Sequence, residues 1–542
     1  MATIAGAQAR DQTHMTNTSQ TEIFSEPANL HELLAQRAGI MPEKDFLFSE
    51  GDGRKFCYAE FMTAVNRAAR LLALHGVGRG EVVSLLMPNS AEYIIAYFAC
   101  WKLGAVAGPI NSLLKAQEIS FVLSDSETKA LLVHSDFLPT IESIRKELPG
   151  LRAVIAFDDE ASATKDFSGD SGDDAVGARH AVPQPATDID CDSEAIIIYT
   201  SGTTGKPKGC LLTHGNLIAN ARQISQWLEF TKSDRLLTIM PLFHMNAVSV
   251  TTMSVLYAGG STVVSPKFSA SRFWQIISDY QITSFGSVAT MLSMLLTTYP
   301  DGVPKGLATN QLRFAMCGSA PVPAEVMKRF EETFNCLVIE GYGLSESTCR
   351  STFNPPDERR RPGSCGKPIG NEMRVVDEED REVADGELGE IVLRGENILK
   401  GYYRNPEATA TAFRNGWFHT GDVGYRDEEG YFYIVDRKSD MIIRGGENIY
   451  PREIDEVLYQ HPAVAAAASI GVPDQLYGEE VAAFIVLKEG REATEDEFIA
   501  FCRARLADYK CPKTIRIVNE IPKGPTGKLL KRELATKFAR SK

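Results

Sequence analysis

The stretch YTSGTTGKPKG, from Tyr199 to Gly209, places three glycines, four aliphatic hydroxyl side chains and two lysines within eleven residues. The sequence predicts a buried strand before it, at residues 194–198, and a helix after it, from Asn216 to Trp227. Glycines let a backbone approach phosphate, hydroxyls and amides donate hydrogen bonds, and lysines offset negative charge. The segment therefore predicts a loop that wraps a polyphosphate.

This phosphate loop is not a Walker A sequence. Gly202, Gly205, Lys206 and Pro207 do not fit the pattern G-x-x-x-x-G-K-[ST]. A solvated Gly/Thr turn is the alternative for any short pattern of this kind. The length of the segment and its place after a strand favour the phosphate loop.

Six further motifs follow in the sequence: PLFHMNA from Pro241, GSAP from Gly318, GYGLSEST from Gly341, HTGD from His419, VDRKSDMIIRGGEN from Val435 and PTGK from Pro525. With the phosphate loop, and in this order, they resemble the adenylate-forming superfamily. That superfamily includes acyl-CoA synthetases, firefly-type luciferases and the adenylation domains of peptide synthetases. The resemblance spans residues 28–535, and the segment from His419 to Asn448 is similar to crotonobetaine/carnitine-CoA ligases.

Composition limits the class of protein. The chain has 542 residues, of which 44% are hydrophobic and 24% charged, and it is long enough for several cores. No apolar run reaches the ~20 residues of a membrane helix. Ten cysteines without a C-x-x-C pair argue against a disulfide scaffold and a zinc site, and predict a cytoplasmic protein. The net charge of -14 disfavours nucleic-acid binding.

The charge is unevenly placed. From Arg503 to Lys542 there are 12 Lys and Arg residues against 3 Asp and Glu residues. Two interpretations stay open: a solvated basic face, or a lobe that approaches the phosphates of a nucleotide or of CoA.

Patterning predicts an α/β fold with two domains. Strand and helix patterns alternate as far as Glu340, which indicates two helix-flanked, mostly parallel sheets. Short strands with Gly/Asp turns from Met373 to Tyr433 indicate a β-barrel-like subdomain in the same large domain, residues 28–436. Residues 437–542 form a small α+β domain, in which Thr494 begins a capping box.

Two segments are predicted to lie outside the folded domains. Residues 1–27 are rich in Thr, Gln, Ala and Asn and lack the apolar core of a secretory signal, so we expect a disordered extension. Asp158 to Ser193 is poor in large apolar residues and is expected to be an exposed insertion.

The family resemblance implies an ATP-dependent acid–CoA ligase. A carboxylate attacks the α-phosphate of ATP to give an acyl-adenylate and pyrophosphate, and the thiol of CoA then displaces AMP. The resemblance implies Mg²⁺ as a cofactor, ATP and CoA as cosubstrates, and a small-molecule carboxylic acid as the binding partner that is activated. No nucleic acid and no integral membrane association are expected, and a homodimer is left open.

The resemblance also implies the nucleotide site. Thr200, a catalytic candidate, would hold the β- and γ-phosphates together with Ser201, Gly202, Thr203, Thr204, Gly205, Lys206 and Lys208. The remaining ATP- and AMP-binding candidates are Gly318, Ser319, Ala320, Gly341, Tyr342, Gly343, Ser345, Asp422, Ile434 and Arg437. Tyr342 would stack on adenine, and Asp422, assisted by Arg437, would accept hydrogen bonds from the ribose hydroxyls. For an isolated Asp422, a turn residue after Gly421 is the alternative.

Two charged residues carry the implied chemistry. Glu346 would bind Mg²⁺, because a hard cation prefers a carboxylate and phosphate oxygens. Lys528, in PTGK, would stabilise the negative charge that develops at the α-phosphate and the acyl oxygen. Without the motifs, Glu346 would be an ordinary loop carboxylate and Lys528 one of many surface lysines.

The acyl and CoA sites follow from the same resemblance. His244 would gate the acyl pocket, although a lone histidine of this kind is more often a core residue. The pocket would include His244, Met245, Val248, Met316 and Gly343, within walls formed by residues 243–250, 285–290, 316–318 and 343–350. Arg444, Gly445, Gly446 and Glu447 would line the channel for CoA. The small domain would rotate about Ser439, where relatives usually carry Asp or Lys.

Three alternatives remain at this stage. An adenylating enzyme could load a carrier protein, a luciferase-like oxygenase would need a luciferin, and a catalytically inactive binding module would be expected to lack Glu346 or Lys528. The GGEN run at residues 445–448 favours CoA over a carrier protein. The acid is expected to be small to medium in size, with a betaine-like acid among the candidates.

Overall fold

The computed structural model describes residues 26–157, 188–201, 207–318, 322–523 and 530–540. Residues 1–25 of the predicted extension and 158–187 of the predicted insertion lie outside this range. Among the described residues, no helix is both long enough and apolar enough to span a bilayer.

The first sheet of the large domain carries the phosphate-loop strand. Its order is β18-β8-β7-β4-β3-β5-β6, and the five strands from β7 to β6 run parallel. The strands are β3 (Val82–Leu86), β4 (Val106–Pro109), β5 (Ala130–His134), β6 (Ala153–Phe157), β7 (Glu194–Ser201), β8 (Pro207–Thr213) and β18 (Gly401–Tyr402). Strand β8 runs antiparallel to β7, so the phosphate loop connects the two strands of a hairpin.

The second sheet has the order β13-β12-β11-β9-β10-β1-β2 and is parallel except at its edge strand β2. Its strands are β1 (Asp45–Ser49), β2 (Lys55–Cys57), β9 (Arg235–Thr238), β10 (Ser261–Val264), β11 (Ser284–Ser287), β12 (Phe314–Cys317) and β13 (Leu337–Glu340). The predicted pair of mostly parallel sheets is confirmed.

The helices cover and separate these sheets. They are α1 (Leu30–Ile40), α2 (Tyr58–Leu74), α3 (Ala91–Leu103), α4 (Ala116–Asp125), α5 (Leu138–Ile144), α6 (His214–Trp227), a π-helix (Asn246–Met253) continued by α7 (Ser254–Ala258), α8 (Ala270–Asp279), α9 (Ala289–Thr298), α10 (Ala324–Phe334) and α11 (Pro406–Ala412). Short 3₁₀ turns occupy Ser135–Phe137, Arg145–Glu147 and Ser345–Ser347.

Helix α3 joins the two sheets into one core. All thirteen of its residues are buried, as expected for a helix that is apolar on every side. The Trp101 indole donates to the carbonyl of Ala195 near the start of β7 (3.0 Å), and the Tyr97 hydroxyl donates to the carbonyl of Leu242 (2.8 Å). The helix therefore fixes the phosphate-loop strand relative to the PLFHMNA segment.

An antiparallel sheet of short strands follows, in the region predicted to be barrel-like. Its pairing path is β16-β17-β20-β19, with β21 beside β20, and a bridge from Gly366 to Phe432 leads to the β14–β15 pair. The strands are β14 (Thr352–Phe353), β15 (Lys367–Pro368), β16 (Glu372–Val376), β17 (Gly389–Arg394), β19 (Phe413–Arg414), β20 (Trp417–Arg426) and β21 (Phe432–Arg437).

The C-terminal α+β unit has its own apolar clusters, one centred on Ile454, Leu458 and Phe498. Its sheet has the order β23-β22-β25-β24, with β26 parallel to β25. Its elements are β22 (Ile442–Arg444), β23 (Glu447–Ile449), α12 (Pro451–Tyr459), β24 (Val464–Asp474), β25 (Gly478–Leu487), α13 (Glu495–Arg503), a 3₁₀ turn (Asp508–Lys510), β26 (Thr514–Ile517) and α14 (Lys531–Arg540). The predicted capping box is present, since the Thr494 hydroxyl accepts from the amide of Glu497 (3.2 Å).

The cap of α6 connects this helix to the residues that hold the turn of Glu346. The Thr213 hydroxyl accepts from the amide of Asn216 (3.1 Å), and the Asn216 side chain accepts from the amide of Thr213 (2.9 Å). The same amide side chain donates to the carbonyls of Glu396 (2.7 Å) and Ile398 (2.8 Å). Residue 399, next in the chain, donates its amide to the carbonyl of Glu346 (2.8 Å).

We therefore expect unequal losses from the two cap residues. Thr213→Ala should lower the free energy of unfolding by about 1 kcal/mol, the usual cost of a lost cap. Asn216→Ala should cost about 1–3 kcal/mol more, because it also leaves two carbonyls unpaired. Chemical denaturation measures both, with Ser90→Ala, the simple cap of α3, as the control. Equal losses at Thr213 and Asn216 would contradict the proposed link to residues 396–398.

Candidate active site

A cleft of about 620 Å³ lies between the large domain and the C-terminal unit. The large domain contributes Gly341, Tyr342, Gly343, Asp422 and Ile434, and Arg437 is the last residue of β21, one position past the predicted domain boundary; all six are predicted nucleotide-binding residues. The C-terminal unit contributes residues of α12 together with Lys523 and Lys531. The structure thus brings the candidate nucleotide residues to the boundary of the two units.

Asp422 is a buried carboxylate at the centre of this group of residues. Its side chain is almost fully buried, at 5% exposure. One carboxylate oxygen accepts from the Tyr342 hydroxyl at 2.5 Å, and the other lies 3.1 Å from Nε of Arg437. Strands β20 and β21 pair Asp422 directly with Arg437. Burial, followed by the charge of Asp422, raises the pKa of Tyr342 well above its usual value, so the phenol is neutral.

Tyr342 has a contact that the sequence does not predict. The sequence predicts that Tyr342 stacks on adenine, and the structure shows that its hydroxyl also orients the carboxylate predicted to bind ribose. The carboxylate oxygens of Asp422 have further acceptor sites, so a ribose diol can hydrogen-bond to them beside Tyr342 and Arg437. Tyr342 is thus a positioning residue for Asp422 as well as a candidate adenine contact.

Glu346 meets the phosphate-loop hairpin at a second group of oxygen atoms. Its Oε1 lies 3.5 Å from the Thr200 hydroxyl and 3.2 Å from the Tyr402 hydroxyl. The Lys208 ammonium lies 5.3 Å from the centre of the Tyr402 ring. Burial and the charge of Glu346 raise the pKa of Tyr402, which keeps its proton on the phenol. The sequence motifs did not single out Tyr402, because β18 reaches β8 only through the fold.

A tight turn presents Glu346. Residues Ser345–Ser347 form a 3₁₀ turn, which places the candidate Ser345 beside Glu346. The turn ends at Thr348, whose positive φ of 65° reverses the chain. The Thr348 hydroxyl donates to the carbonyl of Asn397 (2.7 Å), and the Asn397 amide donates to the carbonyl of Ser347 (3.2 Å).

Gly343 is required by close packing. A Cβ atom at this position would lie 1.9 Å from the carbonyl oxygen of Cys349, well inside contact distance. The loop from Gly341 to Leu344 can therefore fold back over residues 349–350 only with glycine at this site. The same glycine lines the cleft beside Tyr342.

Several predicted residues lie outside the described residues: Gly202, Thr203, Thr204, Gly205, Lys206, Ser319, Ala320 and Lys528. The backbone of Ser201 pairs with Pro207 across the β7–β8 hairpin, and Gly318 is described at the end of β12. On either side of Lys528, the Leu530 amide donates to the carbonyl of Pro522 (2.9 Å). The described ends of the PTGK segment therefore lie close together, and Lys523 and Lys531 at those ends line the cleft.

The predicted acyl-pocket residues are buried in the large core. Met245, Val248 and Met316 are each at most 4% exposed. The His244 ring lies 4.6 Å from the Phe243 ring, and its buried Nε2 has no hydrogen-bond partner among the described residues. Burial lowers the pKa of His244 to about 4, so the imidazole is neutral at pH 7.

The residues assigned to CoA are not among those that line the cleft. Arg444 and Glu447 flank the turn of the β22–β23 hairpin, with Gly445 and Gly446 at its tip. Arg444 pairs with Glu480 (2.7 Å) and lies over the Tyr477 ring (4.0 Å). The exposed hinge candidate Ser439 donates its hydroxyl to Asp440 (3.1 Å). In this domain arrangement Lys523 and Lys531, which flank the PTGK segment, line the cleft, and the described residues of the GGEN hairpin do not.

A second cavity, of about 350 Å³, lies at the carboxyl edge of the sheets. Asn89, Leu113, Pro241 and Phe243 are among its lining residues. It shares Thr290 with the larger cleft, so the two spaces approach each other beside the PLFHMNA segment.

Comparisons with known proteins agree with this geometry. The model of the AMP-binding enzyme family matches residues 34–403, and that of the AMP-binding enzyme C-terminal domain matches residues 453–528. A sulfoacetate–CoA ligase of Cupriavidus necator is 37% identical over 526 residues, covering 96% of this chain and 99% of the relative. A crotonobetaine/carnitine–CoA ligase of Citrobacter koseri is 33% identical over 518 residues, covering 93% and 98%.

A solved structure extends the likeness to the fold. The anthranilate CoA ligase AuaEII in complex with anthranoyl-AMP aligns with a TM-score of 0.85 and 30% sequence identity, over 96% of this chain and 99% of that one. The predicted relationship to adenylate-forming acyl-CoA synthetases is confirmed, including the likeness to a crotonobetaine/carnitine ligase.

The buried neutral imidazole of His244 predicts a dependence of stability on pH. Because the folded pKa of about 4 lies below the unfolded value of 6.5, the unfolded chain takes up more protons between these values. Stability from this residue is therefore present above pH 6.5 and is lost as the pH falls towards 4. From pH 7 to pH 5 the loss is about 2 kcal/mol.

Replacing His244 should remove this contribution. Unfolding free energies measured at pH 7 and pH 5 should differ by about 2 kcal/mol less in His244→Leu than in the unaltered protein. Phe243→Leu, which alters the same wall without a titratable group, is the control. An unchanged pH dependence in His244→Leu would mean that the imidazole is accessible to protons in the folded state.

Proposed function

The chain belongs to the AMP-binding enzyme family, and from this premise we propose that it is an ATP-dependent acid–CoA ligase that proceeds through an acyl-adenylate. The observation that carries the proposal is the cleft between the two units. There, the Tyr342–Asp422–Arg437 group faces the two described ends of the PTGK segment. The relatives named above are all CoA ligases, which supports CoA rather than a carrier protein or a luciferin reaction.

The first half-reaction must bring two anions together. A carboxylate approaches the α-phosphate of ATP, and negative charge accumulates as pyrophosphate leaves. We assign Thr200, Ser201, residues 202–206 and Lys208 to the β- and γ-phosphates. Lys208 lies at the described end of the hairpin, with its ammonium over Tyr402, where it can offset this charge.

Lys528 is assigned to the reacting phosphate. The PTGK segment that carries Lys528 lies in the chain between Pro522 and Leu530, which are hydrogen-bonded to each other. The neighbouring residues Lys523 and Lys531 line the cleft assigned to the nucleotide. A loop of this length, fixed at both ends, can direct an ammonium group towards the cleft. There it would stabilise the transition state more than the bound substrates.

The donor atoms around Glu346 fit Mg²⁺. The carboxylate of Glu346 and the hydroxyl of Thr200 are hard oxygen ligands, and Mg²⁺ prefers these with phosphate oxygens completing its shell. When bound, the ion would neutralise phosphate charge. The Tyr402 hydroxyl, which donates to Glu346, orients the carboxylate.

The nucleoside is assigned to the other side of the cleft. Asp422 presents acceptor oxygens for the ribose diol, held by Tyr342 and Arg437. Gly318, Ser319 and Ala320 are assigned to the wall opposite Tyr342, with Gly341, Gly343, Ser345 and Ile434 completing the site. The cytoplasmic location and the homodimer remain predictions.

The second half-reaction requires a different domain arrangement. The exposed GGEN hairpin does not line the cleft, so delivery of the thiol along Arg444–Glu447 needs a rotation about Ser439. The rotation would withdraw the PTGK segment and bring the hairpin to the acyl-adenylate. Gly446 has a φ of 93° and no atom within 4 Å of a Cβ position, so its surroundings are open before rotation.

Lys528→Ala tests the assignment of the catalytic lysine. We expect the kcat for pyrophosphate release to fall by about 10²- to 10³-fold while the Kd for ATP changes much less, since the charge acts mainly in the transition state. Stopped-flow release and equilibrium ATP binding measure the two quantities. Lys513→Ala, a surface lysine of the same unit paired with Asp474, is the matched control. Equal losses in binding and rate would exclude the transition-state role.

Gly446→Trp tests the CoA channel. The bulky ring should block thioester formation while ATP–pyrophosphate exchange continues, because only the second half-reaction uses this hairpin. Gly490→Trp is the matched control, since Gly490 also has a positive φ (70°) and open surroundings in the same unit. If Gly446→Trp forms acyl-CoA at the unaltered rate, the channel does not pass this residue.

A further inference from the structure

Arg350 is the most unusual buried residue of the large domain. Its side chain is 1% exposed, and two of its guanidinium nitrogens, Nε and Nη2, have no hydrogen-bond partner among the described residues. No described carboxylate forms an ion pair with it within 4 Å, and its nearest aromatic contact is the Phe353 ring at 5.3 Å. A buried charge without a counterion is strongly unfavourable, so this position calls for an anion.

The backbone around Arg350 is firmly held, which excludes a loosely placed surface residue. The Asn220 side chain donates to the Arg350 carbonyl (2.7 Å) and accepts from the Arg350 amide (3.4 Å). The Asn397 side chain donates to the same carbonyl (3.3 Å). Asn220 also accepts from the hydroxyl of Ser249, one turn along the π-helix that follows His244.

The guanidinium of Arg350 lies where a side chain at Gly318 would otherwise be. A Cβ atom on Gly318 would lie 2.6 Å from Nη2 and 2.7 Å from Nη1 of Arg350. On the neighbouring strand, a Cβ atom on Gly286 would lie 2.8 Å from the side-chain oxygen of Asn246. Both polar groups of that Asn246 amide are buried and lack partners among the described residues.

These two side chains lie on the same face of the sheet. Gly286 is paired with Met316, and Gly318 is two residues further along the same strand direction. From the spacing of strands, Gly286 and Gly318 are about 8 Å apart. Arg350 and Asn246 therefore flank one region, next to the wall residues predicted for the acyl pocket, including His244 and Met316.

Glu340 lies on the opposite face and forms no direct ion pair with Arg350 within 4 Å, although the charge of Arg350 is among those that oppose the rise in the pKa of Glu340. It pairs with Cys317, and side chains alternate along each strand, so Glu340 points away from the face of Met316 and Gly318. Its Oε1 accepts from the amide of Val322 (3.3 Å), and it lines the nucleotide cleft. Arg350 is not among the residues that line that cleft, and its guanidinium lies against Gly318 on the face of Met316 instead.

We propose that Arg350, with Asn246, binds a second anionic group on the acid substrate, a carboxylate or a sulfonate, and so selects short doubly charged acids. This inference rests on the proposed ligase function. The planar guanidinium can hold two oxygens of such a group, and the Asn246 amide can donate to a third. Because the guanidinium lies against Gly318, beside the predicted adenine wall, the second charge must be close to the reacting carboxylate. A quaternary ammonium acid, one of the sequence expectations, would be repelled here.

The test compares acids that differ only in the second charge. Sulfoacetate is paired with methylsulfonylacetate, and malonate with monomethyl malonate, in a pyrophosphate-release assay with ATP and Mg²⁺. In the unaltered protein the ratio of kcat/KM, charged acid over uncharged acid, should exceed about 10. In Arg350→Met that ratio should fall to about 1, because the contact that favours the second charge is lost, and Arg350→Lys should lie between.

Using a ratio within each variant cancels losses caused by partial misfolding. Arg37→Met is the matched control, since Arg37 is also buried but donates to the carbonyl of Leu256, far from the acyl wall. It should keep the ratio of the unaltered protein even if its stability falls. If neither Arg350 variant folds, the kcat/KM ratio of the unaltered protein is the test, and a ratio near 1 for charged over uncharged acid would overturn the inference.

The possible failures are distinct. If no acid releases pyrophosphate, the ligase function is wrong and the inference falls with it. If the unaltered enzyme uses the uncharged acids as well as the charged ones, the ligase function stands and the anion site is wrong. If Arg350→Met lowers kcat/KM for all four acids by one common factor, Arg350 has a structural or nucleotide role, which also overturns the inference.

Discussion

The carboxylate of Asp422 is the point at which three parts of the chain meet. Tyr342 comes from the loop after the second parallel sheet, Asp422 from the antiparallel sheet, and Arg437 from the last strand before the hinge candidate Ser439. A buried carboxylate is stable only when its oxygens are well bonded, so these partners must be in place together. The side of the cleft assigned to the nucleotide is thereby held together by one carboxylate.

Charges of opposite sign lie on the two faces of the same sheet edge. Glu340 faces the cleft, where burial raises its pKa to about 7 and the charge of Arg452 opposes that rise. Arg350 lies on the other face without a described counterion. The two side chains therefore lie on different faces at the carboxyl ends of β12 and β13, with Arg350 on the face of the predicted acyl-pocket wall.

The local sequence was sufficient to predict helices and strands, but not the contacts between residues that are far apart in the chain. The helix predicted from Asn216 to Trp227 is observed as α6 (His214–Trp227), which begins two residues earlier because Thr213 caps it, and the strand predicted at residues 194–198 is observed within β7. Strand β8 was not anticipated, because glycine and lysine in its first residues conceal a strand pattern. Tyr402 and Arg350 could not be assigned roles from sequence, since each depends on a partner far along the chain.

The contacts across the cleft define what a rotation about Ser439 must break. The Arg452 amide donates to Asp436 (3.0 Å), and its guanidinium donates to the carbonyl of Ile434, a cleft residue. Asp455 and Lys531, 3.7 Å apart, are both on the C-terminal unit and would move together. The proposed rotation would exchange these charge-assisted hydrogen bonds of Arg452 for others, while the core of the C-terminal unit stays intact. Two arrangements that differ in exchangeable hydrogen bonds of this kind can lie close in free energy, as the proposed alternation between half-reactions requires.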